Sequence, residues 1–363
     1  MTTSDLIHNE SPGDRPLFTI AIPTFNRAQW LRGCVDAALS QTFGSFEVIV
    51  SDNASTDETA EVLGQLRDPR LRVIRQTRNI GPIPNWNACL DAAHGTYLVI
   101  LCDDDHVAPH LLERCGSLLN EARDVQVVVA LGDVIEPQTH FRKSAVRSRR
   151  LGTGIWDGPE ILLEFLLGRI TPQLCTVAMR TDTLRARGGF PDGWPHAGDL
   201  VSWVPMLLLG RAGLVNESCG SYCSHDGTQT ANFSFETRFR DLDRLATTIV
   251  QEAEQKVADP VALLEIKARA GRYVARNCIG HLASERRKGV SRRDVLSAGW
   301  AWRRRIAGIR LADLSMLARP LALFLTPLSI IRLLSTIKAE GRRIREQSRA
   351  HTSGSDVASV VTR

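Results

Sequence analysis

The stretch Tyr97-Leu98-Val99-Ile100-Leu101-Cys102-Asp103-Asp104-Asp105 joins an apolar run to three consecutive carboxylates. A buried strand with that ending concentrates negative charge where a sheet meets solvent. Such a cluster repels itself unless a cation sits in it, and hard divalent ions such as Mg2+ or Mn2+ prefer oxygen ligands. An ion held by carboxylates with open positions is suited to gripping a diphosphate. The chemistry indicated is reaction of a nucleotide-activated substrate; the bland alternative is a solvated acidic turn.

The elements around this run decide what else can reach it. Leu17 to Ile22 reads as a first buried strand closed by Pro23, and Asn26 as the cap of a helix carrying Trp30, Leu31, Cys34, Val35, Ala38 and Leu39 at helical spacing. Phe46 to Val50 predicts a second strand, with Ser55 or Thr56 capping a second helix. Leu71 to Ile74 is a third strand and Pro82 to His94 a third helix, with Gly95 as its C-terminal cap. Tyr97 to Leu101, Pro109 to Asn120 and Val125 to Leu131 continue as strand, helix and strand. The alternation implies an α/β fold with a mostly parallel central sheet flanked by helices. Ligands of such sheets sit beyond the carboxyl ends of the strands. The residues there are polar in every case: Pro23 to Arg27, Ser51 to Asp57, Gln76 to Gly81, and Asp103 to Asp105.

Further along, residues 132–170 are mixed and carry a basic stretch, Arg142 to Arg150, expected as a mobile loop. Gln173 to Met179 predicts a strand, Gly188-Gly189-Phe190-Pro191 a turn, His196 to Gly210 a loop entering a helix, and Gly213 to Ser224 another strand. Beyond Phe235 the pattern is helical. The expected organisation is a disordered terminus over 1–15, a catalytic domain over 16–234, a basic helical region over 235–350 and a disordered tail over 351–363.

Composition fits a globular protein, with 43% hydrophobic and 23% charged residues among 363. The eight cysteines form no CxxC pair, which argues against a zinc site or a disulfide framework and for small core residues in a reducing compartment. The first fifteen residues lack a secretion-signal pattern, so a cytoplasmic location is expected. The net charge of +5 is uneven: residues 281–350 hold 16 Lys/Arg against 5 Asp/Glu. Within them Leu311 to Ile337 is apolar but interrupted by Asp313, Arg319, Pro320, Pro327 and Arg332, too broken to span a bilayer. It reads equally as an interfacial anchor at the inner membrane face or as a packed helical subdomain. No nucleic-acid-binding signature accompanies the basic charge.

Ile22-Pro23-Thr24-Phe25-Asn26-Arg27 resembles the opening motif of the family 2 glycosyltransferases of the GT-A fold. Further matches follow in the family's order: Gln41-Thr42-Phe43, then Phe46 to Asp57, then Arg78-Asn79-Ile80-Gly81 with Asn85, then Gly95-Thr96-Tyr97 leading to Asp103-Asp104-Asp105. Gly188-Gly189-Phe190, Asp199 and Tyr222-Cys223-Ser224-His225 come later, so the resemblance covers roughly 16–230. It implies a hexosyltransferase that moves a sugar, with inversion, from a nucleoside-diphosphate sugar to a saccharide or lipid-linked acceptor, in polysaccharide or glycoconjugate biosynthesis of the cell envelope. Mg2+ or Mn2+ would sit at the DxD-type motif. By position, Pro23, Thr24, Asn26 and Arg27 would line the nucleotide pocket with Asn53, Arg78 and Asn85, and Asp52 would bind the base. Asp103 and Asp104 would contact ribose and ion, Asp105 would ligate the metal directly with Asp103, and His225 would approach the metal or diphosphate. Asp199 matches the general base; the family pattern there is Glu-Asp while this chain has Ala197-Gly198-Asp199, so Asp192 stands as the alternative.

Plainer roles exist for several of these residues. Asp52 and Asn53 could brace a turn, Arg78-Asn79 could be an ordinary turn, and Asp199 could cap a helix. Trp86, Trp194 and Trp203 could stack on an acceptor sugar, with Trp194 the favoured one because it lies in a Gly/Pro-rich loop. Two other functions are alternatives: a sugar nucleotidyltransferase, which would want a glycine-rich phosphate loop after the first strand, and an inactive nucleotide- or glycan-binding scaffold of the same fold.

Overall fold

Six of the seven residues of Phe18–Thr24 (β1) are buried, so both faces of this strand are covered, as in a parallel sheet between helix layers. In this computed structural model the described residues are 15–301, apart from 123, 138–140, 226, 229–232 and 288–289. After β1 come Ala28–Leu39 (α1), Phe46–Asp52 (β2), Thr59–Gln65 (α2), Leu71–Arg75 (β3), Pro82–Ala92 (α3), Tyr97–Ile100 (β4), His106–Val107 (β5) and Leu111–Glu121 (α4). Val127–Glu136 (β6), Phe141–Lys143 (β7), Gly154–Asp157 (β8), Gly158–Leu167 (α5), Val177–Arg180 (β9), Thr181–Ala186 (α6), Gly198–Trp203 (α7) and Arg211–Cys223 (β10) follow. Phe235–Lys256 (α8), Pro260–Arg287 (α9) and Arg292–Ala301 (α10) close the described chain.

The sheet runs β3-β2-β1-β4-β9-β6-β10-β5, with β7 on β6 and β8 on β10. β3, β2, β1 and β4 are parallel, as the βαβ reading predicts. The far half is mixed: β9 is antiparallel to both β4 and β6, while β10 runs parallel to β6. Alternate residues of the parallel strands divide the core. Phe18, Ile20, Ile22, Val48, Val50, Tyr97 and Val99 pack with Leu31 and Val35 of α1 and Leu111, Cys115 and Leu118 of α4. Ala21, Ile49, Leu98 and Ile100 are equally buried but stand outside that cluster, as the two-residue period of a strand requires.

Several local expectations change. Asn26 does not cap α1; its backbone is left-handed (φ 53°) and its Oδ1 accepts from the Thr56 N–H at 2.8 Å. Asp57 serves both helix starts, accepting from the Ala28 N–H at 3.0 Å and the Thr59 N–H at 3.1 Å, so neither Ser55 nor Thr56 caps α2. Gly95 is not the left-handed cap of α3, which ends at Ala93 in extended backbone. It is glycine because a Cβ there would lie 2.4 Å from the Thr19 backbone nitrogen. The Arg142 to Arg150 loop is not loose: β7 and a fastened strap replace the expected mobile segment, and β8 and α5 follow within 132–170.

The described chain divides into two compact units, one ending at Tyr273 and one starting at Val274. The first includes α8, which buries Phe239, Leu242, Leu245 and Ile249 and packs on α7 and the short 3-10 turn Val204–Leu208. In the second, the α10 start is capped by Ser291, whose Oγ accepts from the Asp294 N–H at 3.1 Å. Among the described residues no helix is long and apolar enough to cross a membrane. Leu311 to Ile337, the expected interfacial or packed segment, lies outside the described residues, as do the terminal segments 1–14 and 351–363.

Candidate active site

The chain leaves β4 at Ile100, and Asp103 to Asp105 form the turn that leads into β5. Each carboxylate is drawn to a different element. Asp103 Oδ2 accepts from the Thr24 hydroxyl at 2.7 Å, at the end of β1. Asp105 Oδ1 accepts from the Cys223 N–H at 2.9 Å, at the end of β10. Asp104 Oδ2 lies 3.0 Å from His225 Nε2, just beyond β10. Nδ1 of that histidine accepts from the Gly227 N–H at 3.1 Å, which assigns the proton to Nε2 and makes His225 the donor to Asp104. The Trp30 ring stacks on the imidazole, centroids 5.5 Å apart and 19° between planes.

Burial pushes the Asp103 carboxyl up to about 7, and the charge of Asp104 adds to this; the Thr24 hydroxyl, Arg27 and the Phe25 N–H oppose it. Asp105 is raised well above the carboxylate range, by burial first and then by Asp104 and Asp103, against the Cys223 N–H. Buried carboxylates that raise one another need positive charge to ionise together. This donor set of hard oxygens fits a divalent cation, with Asp103 and Asp105 as the residues that would hold it; His225 would join them only in its other tautomer, with Nε2 freed of the proton it gives Asp104.

Drawn to separate partners, the three aspartates do not converge on one point. Among the described residues the one set of three His/Cys/Asp/Glu ligand atoms within 4.8 Å of each other is His110, Glu217 and Cys219. There Arg114 already pairs with Glu217 at 2.8 Å, and burial raises the Cys219 thiol to about 12. Those donors suit a cation less well.

Asp52 and the acidic turn flank Thr24 at the end of β1. Thr24 is the register partner of Asp52 across β1 and β2 while its hydroxyl binds Asp103. Asp52 is 1% exposed; its Oδ1 accepts from the Ser55 N–H at 2.8 Å, and its Oδ2 has no hydrogen-bond partner, with Arg75 Nε at 3.4 Å. Leaving a buried polar atom unpaired costs about 1–3 kcal/mol, so this oxygen is available to a ligand. Pro23, opposite Ser51, ends the run before the turn. Arg27 donates to the Gly227 carbonyl at 2.7 Å, tying the first loop to the one after β10.

The remaining candidates support this region more than they line it. Asn53 holds the Arg78 to Gly81 turn, donating to Asn79 Oδ1 at 3.0 Å and the Gly81 carbonyl at 3.1 Å and accepting from the Ile80 N–H at 2.9 Å. Arg78 is exposed. Asn85 is buried and engaged by Ser51, accepting from its hydroxyl at 2.7 Å and donating to its carbonyl at 3.0 Å.

Asp199 stands apart from these, half-buried in the first turn of α7. Burial raises its carboxyl to about 6, opposed by the N–H groups of Leu200 and of Asp199 itself. α7 starts close to α3: a Cβ on Gly198 would touch Ile83 Cδ1 at 3.2 Å. Asp192 is exposed. Trp194 is covered by the Arg244 guanidinium, 4.0 Å from its ring centre, and Arg244 also donates to the Gly193 carbonyl at 2.8 Å. Trp86 meets Phe190 edge-on at 5.3 Å. Trp203 is 1% exposed against Phe165, so it is a core residue and no acceptor platform. Trp30 went unnoticed as a site residue. Helical spacing explains it as an α1 face residue, and nothing local signals a partner at position 225.

Residues 19–181 match the family described as Glycosyl transferase family 2. Over that segment the chain is similar to the family 2 glycosyltransferases. Among curated proteins it is 38% identical to the hyaluronan synthase of Pasteurella multocida over 215 residues, covering 58% of this chain and 21% of that one. It is 35% identical over 131 residues to a PGL/p-HBAD biosynthesis glycosyltransferase of Mycobacterium bovis, covering 35% of this chain and 50% of that one. The chain thus spans between a fifth and a half of the length of these relatives. The fold matches that of S. aureus TarS 1-349, solved in complex with UDP-GlcNAc, with a TM-score of 0.52 at 19% identity over 85% of this chain and 80% of that one. It also matches the mannosyltransferase PcManGT from Pyrobaculum calidifontis, solved with GDP-Man and Mn2+, with a TM-score of 0.50 at 19% identity over 90% and 84%. The mixed α/β architecture with its central sheet is of the GT-A type.

Proposed function

We propose that this domain transfers a sugar, with inversion, from a nucleoside-diphosphate sugar to an acceptor hydroxyl in a divalent-metal-dependent reaction. The observation that carries the reading is the juxtaposition at Thr24: a buried Asp52 oxygen with no hydrogen-bond partner, beside Arg75, on one side and the Asp103 to Asp105 turn on the other. Solved GT-A structures with UDP-GlcNAc and with GDP-Man and Mn2+ support it. Asp52 Oδ2 would accept a hydrogen bond from the base, and Thr24 orients Asp103 and, with Arg27, favours its ionised form. A bound Mg2+ or Mn2+, held by Asp103 and Asp105 and by His225 in its other tautomer, would supply positive charge for the departing diphosphate.

Inversion is a single in-line displacement. As the acceptor oxygen bonds to the anomeric carbon, the bond from that carbon to the diphosphate oxygen breaks and the diphosphate leaves with the electron pair. The hydroxyl proton passes to an Asp199 carboxylate oxygen. A carboxyl near 6 is a better proton acceptor than an ordinary aspartate and is still ionised at neutral pH. The Trp194 ring, steadied by Arg244, would form the acceptor-side wall. The product would belong to an envelope polysaccharide or other glycoconjugate, made in the cytoplasm with peripheral contact to the inner membrane face through the basic C-terminal region.

The test incubates the full chain with a panel of nucleotide sugars and Mn2+ and follows nucleotide release. Turnover of one donor, abolished by Asp105→Ala, supports the proposal; equal turnover in that variant removes the metal-binding role of Asp105.

A further inference from the structure

From the end of β7 toward β8 the chain reads Arg142-Lys143-Ser144-Ala145-Val146-Arg147-Ser148-Arg149-Arg150, five cations in nine residues. Such a segment repels itself, yet its backbone is fastened from several sides. The Ala145 N–H donates to Asp133 Oδ1 at 2.8 Å, the Val146 N–H to Thr171 Oγ1 at 2.8 Å and the Ser148 N–H to Asn216 Oδ1 at 2.9 Å. Asn216 Nδ2 donates back to the Ser148 and Leu151 carbonyls at 2.9 and 3.0 Å, and the Ser148 hydroxyl donates to Glu164 Oε2 at 2.6 Å. Asp133, Ser148 and Glu164 are buried. Burial works against ionisation of Asp133, but the Ala145 N–H, Arg142 and the Ser218 hydroxyl hold it below the usual carboxylate range.

Two of the five cations are neutralised within the fold. Arg142 pairs with Asp133 (Nε to Oδ2 2.8 Å), and Arg150 with Glu160 at 3.0 Å and Glu164 at 3.7 Å. Lys143, Arg147 and Arg149 are exposed, and among the described residues no carboxylate lies within 4.0 Å of them. The strap therefore presents three uncompensated charges on an ordered backbone.

Its position relates it to the active site. Ile135 of β6 pairs with Arg142 on one side and with Cys223 on the other, and the Cys223 N–H binds Asp105. Two strand spacings, about 10 Å, thus separate the near end of the strap from the strand that holds the acidic turn. From there the strap runs back beside β10 to Asn216, seven residues before Cys223. At the rise of a strand its six residue steps cover at most about 20 Å. That is a track several sugar units long, leading away from the point of transfer.

We infer that the strap Lys143–Arg149 is a binding track for an extended acceptor chain bearing anionic groups, carboxylates or phosphates, whose growing end lies at the acidic turn. The inference deepens the proposed transfer reaction by naming its acceptor class, and it rests on that reading for the chemistry at the end of the track. Ordering the backbone beforehand lowers the entropy lost on binding, and exposed cations give steering that weakens with salt.

The experiment measures fluorescence anisotropy of three labelled oligomers of equal length with the full chain: oligogalacturonate for carboxylates, oligo(glycerol phosphate) for phosphates, and neutral dextran. Vesicles of phosphatidylglycerol are assayed in parallel by flotation. The expected result is binding of one or both charged oligomers but not dextran, weakening as salt rises. The affinity should fall at least tenfold in K143E/R147E/R149E and severalfold in the milder R147Q/R149Q. Nucleoside diphosphate binding with Mn2+, unchanged in both variants, shows that the fold is intact. Binding of dextran as tight as that of the charged oligomers would overturn the inference. So would charged-oligomer binding within twofold of wild type in the triple variant, which would place the anion site in the basic C-terminal region, or strap-dependent capture of vesicles without oligomer binding. Failure of the transfer reading would appear separately, as lack of nucleotide-sugar turnover or of nucleoside diphosphate binding in the wild type.

Discussion

The half of the sheet built from β1 to β4 and the half built from β6 to β10 hold the two sides of the site by different means. In the first, each loop is held by itself or by the next loop along the parallel sheet: Asp52 with Ser55, Asp57 with Thr59, and Asn53 with Ile80 and Gly81, 27 and 28 residues on. In the second, the contacts are long-range: Arg27 to Gly227, His225 to Asp104, Cys223 to Asp105, Asn216 to Ser148. A site assembled locally on parallel strands suits a constant ligand such as a nucleotide. One assembled from distant loops can change its acceptor surface without disturbing that pocket.

This contrast predicts where mutations act. The largest effect is expected for Asp199→Asn, which removes the proton acceptor but nothing that touches the donor. Turnover should fall about 10²–10⁴-fold with nucleoside diphosphate affinity unchanged, measured by steady-state kinetics beside calorimetry. Loss of nucleotide affinity in that variant would erase the division into donor and acceptor sides. Asp52→Ala should do the reverse, weakening nucleotide binding by roughly tenfold or more, as loss of a hydrogen bond to a charged group implies.

The local half was legible for a physical reason. Its strands are continuous buried runs and its polar loops follow them directly, so the strand-end positions of Asp52, Asp103 and Thr24 are legible in the sequence. The other half was not. β5, β7 and β8 have two to four residues, too few to show a period. The strap looked mobile because its anchors Asp133, Thr171 and Asn216 lie 12 to 68 residues from the groups they hold. Gly95 reads as a helix cap because a glycine after a helix usually is one, whereas the constraint comes from Thr19, far away in sequence.

The pH profile sharpens the comparison. With the Asp199 carboxyl at about 6, its base form is lost as pH falls through that value, so kcat at saturating metal should drop below about pH 6. An ordinary aspartate would place the drop near 4. The same raised value means that ionising Asp199 opposes folding: the stability its protonated form contributes is complete below about 4 and lost as pH rises through about 6. Asp199→Asn should therefore melt higher than wild type at pH 8 and equally at pH 4.

Smaller effects follow. Gly95→Ala forces a methyl group against the backbone of β1 and should destabilise by about 1–3 kcal/mol, read as a lower urea midpoint. Arg244→Ala removes a cation–π contact worth about 0.5–1 kcal/mol at an exposed site. It should raise the acceptor KM a fewfold and leave nucleotide release to water unchanged.

The central claim, that the acidic turn binds a divalent cation together with the nucleoside diphosphate, is tested most directly by calorimetric titration of UDP and GDP with and without Mn2+. Wild type and Asp105→Ala are measured side by side. One of the two nucleotides should bind wild type at least tenfold more tightly with Mn2+, and that gain should vanish in the variant while metal-free binding through Asp52 persists. An equal gain in both proteins, or none in the wild type, would contradict the account.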